Sequence, residues 1–427
     1  MKRPCQYAGC KLEAEDSSEF CIFHSPNPKD SEKFKQALND QINREGPEEN
    51  RNERNWFTGY VFPADTEVRS VFGDATFEGG AWFNDATFEG GAWFDGVTFK
   101  GAARFIGAKF KHAVFNDATF EGGAWFDGAT FEGGAWFDDA TFKAAWFKDT
   151  KFKAAWFRKA TFGAAKFGGV TFEGSAVFKG ATFKGDAWFD DATFEGNAWF
   201  DDATFEGGAW FKGATFEGNA WFDDATFKDA WFGGVTFKDA WFGGVTFKGD
   251  ARLTGATFKD AVFNDATFES AAEFDGVTFK GDARFDGVTF KGDVGFTRCE
   301  AVGLSLGQDR PRIRGWSEEQ RCGVVFIEPR AAVSFWRFAQ RTFGKAGERE
   351  RADAAFYFKR VKHWKELRQT KGFKRLWNWI IFLLDLVFVR WTTAYGASVA
   401  RVFFAWFAVI GGFGITFSTL PRLIGRA

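Results

Sequence analysis

At 427 residues, with 61 Phe and 50 Gly against three His and one Met, the chain favours several modules over one ordinary globule. Its formal net charge of −2 hides an acidic excess in residues 71–304 and a basic excess after them. No G-x-S-x-G elbow, phosphate loop or metal site with an open position is present, and three His leave general acid–base chemistry little material. The five cysteines are odd in number, and three of them crowd near a His, which reads as a reduced compartment with a metal site rather than a disulfide framework. Pro4 and Cys5 stand where a signal peptide needs an apolar run.

The first module, residues 1–25, carries Cys5-x4-Cys10-x10-Cys21-x2-His24. Three soft thiolates and one imidazole suffice for tetrahedral Zn²⁺ and leave no open position, so the expected zinc knuckle is structural. Residues 26–70 come next. After Pro26 and Pro28, Ser31 is placed to cap a polar helix running to about Arg44, with Phe34, Ala37, Leu38 and Ile42 at helical spacing. A charged linker leads to Trp56-Phe57 and Val61-Phe62-Pro63, the start of an N-terminal solenoid cap.

Residues 71–304 repeat one phrase, cleanest as Ala75-Thr76-Phe77-Glu78-Gly79-Gly80-Ala81-Trp82-Phe83. Phe recurs every five or six residues from Phe77 to Phe296, broken at Leu253, and a small Ala or Val stands two residues before nearly every Phe. A helix of that period fails. Its glycines each cost about 1 kcal/mol, Thr and Val prefer extended backbone, and the slip to steps of five at Phe227, Phe232, Phe237, Phe242 and Phe247 would rotate a helical stripe off its face. Stacked short strands absorb an extra residue at a corner, after glycines such as Gly79 and Gly185, where turn residues belong.

This A-x-F phrase at a five-residue step resembles the pentapeptide-repeat family in its Phe-centred form. The resemblance implies a mainly β fold, a right-handed quadrilateral β-helix with four pentads per coil, in which Phe and the preceding Ala or Val point inward. Roughly forty pentads then make about ten coils and, at ~4.8 Å between strands, a rod about 50 Å long. The Phe stacks would fill its axis. The zinc knuckle is similar to the leader of some membrane-linked members of the family.

An exit segment and C-terminal cap occupies 305–330, with 324–327 as a last strand. Over 331–370 the period turns helical: Val333, Phe335, Trp336, Phe338 and Ala339, then Ala352, Ala355, Phe356, Phe358, Val361 and Trp364, an amphipathic hairpin joined near Gly344–Gly347. Residues 371–427 read as a transmembrane hairpin. Leu376–Val389 is apolar but short, and Val402–Leu420 has about the ~20 residues a bilayer needs. Lys371, Lys374 and Arg375 before the first span, and Arg422 and Arg426 after the second, place both ends and the bulk of the chain in the cytoplasm of a two-span cell-membrane protein. The hairpin and two-span tail also resemble the C-terminus of membrane-bound pentapeptide-repeat proteins.

The function expected is a non-enzymatic, membrane-anchored scaffold for protein interaction. Its partners are the lipid bilayer and either another protein or itself. Two alternatives come from other classes. Thr392-Thr393-Ala394-Tyr395-Gly396 is similar to a potassium-channel filter, with Ala394 in place of the filter's Gly. DNA mimicry toward a topoisomerase is known in the family, but Lys100, Lys143, Lys228, Lys238 and Lys248 interrupt the acidic charge and make a nucleic-acid role unlikely. The residue before each Phe points outward in the family's fold, and here alternates between a Thr series and a Trp series. Trp188, Trp199, Trp210, Trp221, Trp231 and Trp241 form the candidate interaction surface. Trp146 is expected on Trp125 and Trp210 on Trp188 along one wall, with Trp156 on Trp136 and Trp221 on Trp199 opposite. Arg104, Val114, Lys166, Val177, Arg252 and Val262 would interrupt these ladders.

Overall fold

The computed structural model describes residues 3–8, 10–15, 18–26, 30–42, 56–64, 72–306, 324–326, 329–348, 351–352 and 355. They fall into two compact units, Met1–Val325 and Phe326–Ala427.

The first unit is a parallel β-solenoid of about 11 turns. Strands β1 (Val61–Phe62), β2 (Thr76–Phe77), β3 (Ala81–Trp82) and β4 (Thr87–Trp93) begin it, and every coil lays like residue on like: Thr76 on Thr98, Phe77 on Phe99, Ala81 on Ala103. Phe77, Phe83, Phe88 and Phe94 belong to four columns, one per wall, numbered first to fourth here, and Phe57, Phe62 and Phe72 stack ahead of the last three. Within a column the rings stack face to face, as in Phe167–Phe189 at 4.8 Å and 1°. Across the axis the second and fourth walls meet edge to face, Phe83–Phe94 at 5.5 Å and 79° and Phe94–Phe105 at 5.7 Å and 77°. Both geometries suit the ring quadrupole and add ~0.5–1.5 kcal/mol per pair beyond the burial itself. Leu253 stands fully buried in the second column, in place of a ring. Where the small inward residue is polar it finds a carbonyl: Thr150 Oγ1 donates to Phe126 O at 2.8 Å, and Cys299 Sγ to Phe274 O at 2.6 Å.

Corners are of two kinds, and only one takes the sixth residue. Leaving the second and fourth walls the chain makes a tight turn, as at Phe83-Asn84-Asp85-Ala86, where Ala86 N–H donates to Phe83 O at 3.1 Å and Asp85 has φ 55°. The positive-φ position is filled by Gly, by Asp, and once each by Lys159 and Arg298. The step across this corner is always five residues. At the other corner the strand either breaks at a bend, as between β2 and β3, or runs on, as in β4, with the extra residue absorbed as a bulge. Thr119–Trp125 pairs with Thr141–Trp146 by a register shift between Phe142 and Ala144. The expectation of turn residues after Gly79, Gly185 and Gly196 holds, since these glycines lie in bends between two short strands, whereas Gly90 and Gly122 sit inside a continuous strand. Gly196 lies directly against the backbone of Gly174, where a Cβ would collide.

Side-chain oxygens tie the tight corners together: Asp223 Oδ1 accepts from Gly243 N–H at 2.6 Å, and Asn116 Oδ1 from Asp138 N–H at 3.1 Å, one coil on.

Before the solenoid lies α1 (Ser31–Ile42). Its cap is Asp30 rather than Ser31, with Asp30 Oδ1 accepting from Glu32 and Lys33 N–H at 3.1 and 3.2 Å. A carboxylate one residue earlier meets the free N–H groups and the positive end of the helix, which a hydroxyl serves less well. Phe34 and Leu38 are fully buried, Phe34 edge-on to Phe62 at 5.5 Å. Residues 43–55, which include the expected last turn, lie outside the described residues.

In the second unit, α2 (Pro329–Lys345) buries Phe335, Trp336, Phe338, Ala339 and Phe343. It starts two residues before the expected Ala331, with Pro329 at a first-turn position that needs no N–H. Gly347, at φ 78°, follows it, and Arg351, Ala352 and Ala355 are helical again. No helix among the described residues is long and apolar enough to cross a membrane. The predicted spans, the 392–396 loop, Cys322 and most of the second amphipathic run lie outside the described residues.

Candidate metal centre and the tryptophan walls

A small hairpin builds the N-terminal site. Cys5 N–H donates to Leu12 O at 2.9 Å, Ala14 N–H to Arg3 O at 2.7 Å, and Cys10 N–H turns back to Tyr7 O at 3.0 Å. A second turn, His24 N–H to Cys21 O at 3.1 Å, brings Cys21 and His24 round to meet it. The four donor atoms lie within 4.8 Å of one another. Cys10 Sγ is 3.8 Å from Cys21 Sγ, and His24 Nδ1 is 3.1 Å from Cys21 Sγ and 3.7 Å from Cys5 Sγ. A tetrahedron with metal–sulfur bonds of ~2.3 Å has sulfur–sulfur edges of about 3.8 Å, so the set fits a metal ion.

Outer contacts prepare the donors. Cys21 N–H points at Cys5 Sγ (3.2 Å) and Leu12 N–H at Cys10 Sγ (3.4 Å). Burial pushes the Cys21 thiol up to about 12 and raises Cys10. Burial also acts to raise Cys5, but the N–H groups of Cys21 and Tyr7 outweigh it and leave Cys5 below the usual thiol value. His24 Nε2 lies 3.1 Å from Thr58 O, which puts the ring proton on Nε2 and turns the Nδ1 lone pair to the sulfurs. Tyr7 stacks on the imidazole at 4.0 Å and 5°, over Gly59, whose φ of 67° and lack of a Cβ admit the ring. Sequence reasoning missed Tyr7, Thr58 and Gly59. Thr58 is 34 residues from His24, and no spacing signals that contact.

The metal centre also stands in for a missing coil. Along the solenoid each tight-corner carbonyl accepts an N–H from the coil before it, as Asn84 O does from Gly59 and Ile106 O from Asp85, both at 2.8 Å. Thr58 O has His24 Nε2 in that place. Val61 N–H in turn donates to Phe23 O at 2.8 Å.

The six predicted tryptophans do not form one patch. Trp188, Trp210 and Trp231 are on the second wall, and Trp199, Trp221 and Trp241 on the fourth. All are half-buried. Elsewhere on these walls a Cβ on Gly123 or Gly134 would strike Trp125 or Trp136, so those indoles lie back across the corner rather than standing out. Rings stack at Trp125–Trp146 (4.6 Å), Trp136–Trp156 (5.1 Å), Trp199–Trp221 (5.1 Å), Trp221–Trp241 (5.2 Å) and Trp210–Trp231 (3.9 Å). Trp210 pairs with Trp188 in backbone register, but no ring stack joins them among the described residues. The Trp210 indole lies over Gly208 against Trp231, while Trp188 carries the Lys166 ammonium 5.3 Å from its ring.

The expected interruptions sort by wall. Arg104, Lys166 and Arg252 are all on the second, Val114, Val177 and Val262 all on the fourth. The cations continue their ladder rather than break it, because an aromatic face attracts them. The Arg104 guanidinium sits 5.7 Å from the Trp82 ring and 5.4 Å from Trp125, and that of Arg252 sits 5.7 Å from Trp231.

A family model of pentapeptide repeats in nine copies matches residues 69–109, 105–151, 126–171, 167–215, 211–257 and 253–300, together more than half of the chain. The chain belongs to the pentapeptide-repeat family. No curated protein matches it. As a pentapeptide-repeat protein it is in its Phe-centred form, with the Cys/His cluster docked on the first coil of the repeat solenoid.

Proposed function

We propose that this pentapeptide-repeat protein is a non-enzymatic scaffold, anchored in a cell membrane with its bulk in the cytoplasm, and that a structural zinc ion seals the N-terminal end of its solenoid. The observation that carries the scaffold reading is the filled axis: stacked Phe rings occupy the interior, so recognition has the outer walls to work with. Zinc is the ion that the donor set favours, since three thiolates and an imidazole at tetrahedral spacing make a closed, soft, redox-inert site. Anchoring rests on the apolar runs at 376–389 and 402–420 with their basic flanks.

Deleting residues 376–420 should move the protein from the membrane pellet to the soluble fraction, while the full chain resists alkaline carbonate. Release of the full chain by carbonate would remove the anchor. Photo-crosslinkers on the fourth wall should capture protein in intact membranes; labelling confined to lipid would end the scaffold reading.

A further inference from the structure

We propose that the fourth wall is the contact between two copies of this chain, paired antiparallel about a two-fold axis that passes between Val177 and Trp199. The proposal rests on the scaffold reading in one respect, that a wall is the binding surface, and it names the occupant.

The apolar part of the surface is continuous. Trp156, Val177, Trp199 and Trp221 follow one another in register on successive coils, each half-buried. The second wall offers no such unbroken stripe, because Arg104, Lys166 and Arg252 interrupt it, and taking a cation out of water is costly even where, as for Arg252 with Asp250 and Glu273, it has an ion pair.

What identifies the occupant is the charge along the tight corner beside this stripe. The corner stacks Arg158-Lys159, Lys179-Gly180, Asp201-Asp202 and Asp223-Asp224, one pair per coil, linked by Lys159 N–H to Lys179 O at 3.0 Å, Gly180 N–H to Asp201 O at 2.8 Å and Asp202 N–H to Asp223 O at 3.0 Å. Over these four coils the row is basic at the Trp156 and Val177 coils and acidic at the Trp199 and Trp221 coils; Asp138-Asp139 precede it and Gly243-Gly244, which they would meet in the second copy, follow it. A two-fold axis lying in the wall and perpendicular to the rod sets this row against itself, reversed. Lys179 then meets Asp201 and Asp202 of the second copy, Arg158 and Lys159 meet Asp223 and Asp224, and each meeting occurs twice.

Some of these charges already have partners within the chain, Arg158 with Asp138 at 2.6 Å and Lys179 with Asp202 at 3.8 Å. Lys159 and Asp224 have no ion pair among the described residues, and both are exposed. On the opposite flank, Lys153 meets Glu217 of the second copy. Glu173 meets Glu195 there, the like-charge contact within these four coils, and Lys153 of its own chain already neutralises it at 3.1 Å.

Orientation follows from the same residues. A parallel pair would turn one flank onto the other at equal height. Arg158 and Lys159 would then face Lys153, Asp201 and Asp202 would face Glu195, and Asp223 and Asp224 would face Glu217. Like charges in register disfavour that pairing.

The test uses the full chain in detergent at about 10 µM, a concentration at which a specific interface with a submicromolar constant is filled. Sedimentation should give a dimer that weakens as salt is raised. Zero-length carbodiimide coupling of mixed isotope-labelled chains should yield Lys159–Asp224 links between copies. In one chain these residues are three coils apart, ~14 Å, too far for coupling. Lys159→Glu with Lys179→Glu should weaken the dimer by about tenfold or more. Adding Asp202→Lys and Asp223→Lys should restore it, which separates a lost interface from a lost fold. A monomer at that concentration overturns the proposal, as does a dimer without the cross-link or one indifferent to the charge changes. Carbonate extraction decides the anchor separately, and a monomer whose fourth wall still crosslinks to a different protein would keep the scaffold reading while ending this one.

Discussion

His24 places its Nε2 3.1 Å from the carbonyl oxygen of Thr58, at the spot where, further along, the preceding coil's N–H stands. This candidate metal ligand thus closes the open edge of the solenoid, and the same imidazole faces the cysteine sulfurs on one side and backbone on the other. Elemental analysis should find one zinc per chain, falling sharply in Cys10→Ser and His24→Ala. In either variant, or on chelation, amide exchange over residues 56–64 should rise by about tenfold or more, as loss of roughly 1–3 kcal/mol of buried hydrogen bonding implies. Exchange over residues 119–247 should not change, because coils contact near neighbours alone. Uniform loss of protection would show that the centre is not a local seal.

The two corner types predict where the chain accepts insertions. A Gly added after Lys143, at a bulged corner, copies the six-residue step of neighbouring coils and should leave the thermal midpoint within a few degrees. The same Gly added between Asn84 and Asp85 breaks the turn closed by Ala86 and Phe83 and should lower the midpoint markedly. Asp85→Ala, which forces a Cβ residue with no side-chain acceptor to φ 55°, should cost about 1–2 kcal/mol, and Asp85→Gly should not. Equal tolerance at both corners would contradict the assignment.

Acidity should affect the stack in an unusual direction. Burial raises the carboxyls of Asp190, Asp223 and Asp286 above 3.8, despite the N–H groups of Lys212 and Gly243 and the Ser305 hydroxyl that they accept from. Between 3.8 and the raised values the native state holds protons that the unfolded chain has lost. Stability from these groups therefore falls as pH rises through that window and returns on acidification. Replacing all three by Asn, which keeps the acceptor Oδ1, should raise the midpoint at neutral pH and flatten its dependence on pH in the acid range above 3.8. An unchanged slope would mean that these carboxyls do not titrate with folding.

Arg104, between Trp82 and Trp125, should act as a rung of the second wall. Arg104→Glu should destabilise by ~0.5–2 kcal/mol through loss of the cation–π contact, whereas Arg104→Trp, which continues the stack, should be close to neutral. Denaturant unfolding monitored by Trp fluorescence distinguishes the two. If Glu and Trp behave alike, the cation is a bystander.

Much of the architecture was legible because the period is covalent. A Phe every five or six residues, with Ala or Val two before it, admits parallel coils with a ring-filled axis, and the fold has those columns from Phe57 to Phe296. The four metal-binding candidates were equally readable, since thiolate and imidazole chemistry is a property of residue type, and the donors do converge. Tertiary structure decided what depends on neighbours a coil or more away. That His24 replaces a coil N–H at Thr58 is a contact across 34 residues that no local pattern encodes. That the sixth residue is a bulge in a continuous strand at some corners and a bend between two strands at others depends on where the ladder runs through. Which wall carries cations and which carries valines follows from counting round a coil of 20 to 22 residues, the separation of Thr141 from Thr161 and of Thr76 from Thr98. Alternation along the chain names the residues of a ladder, but their stacking, their burial and the charge beside them arise when one coil is laid on the next.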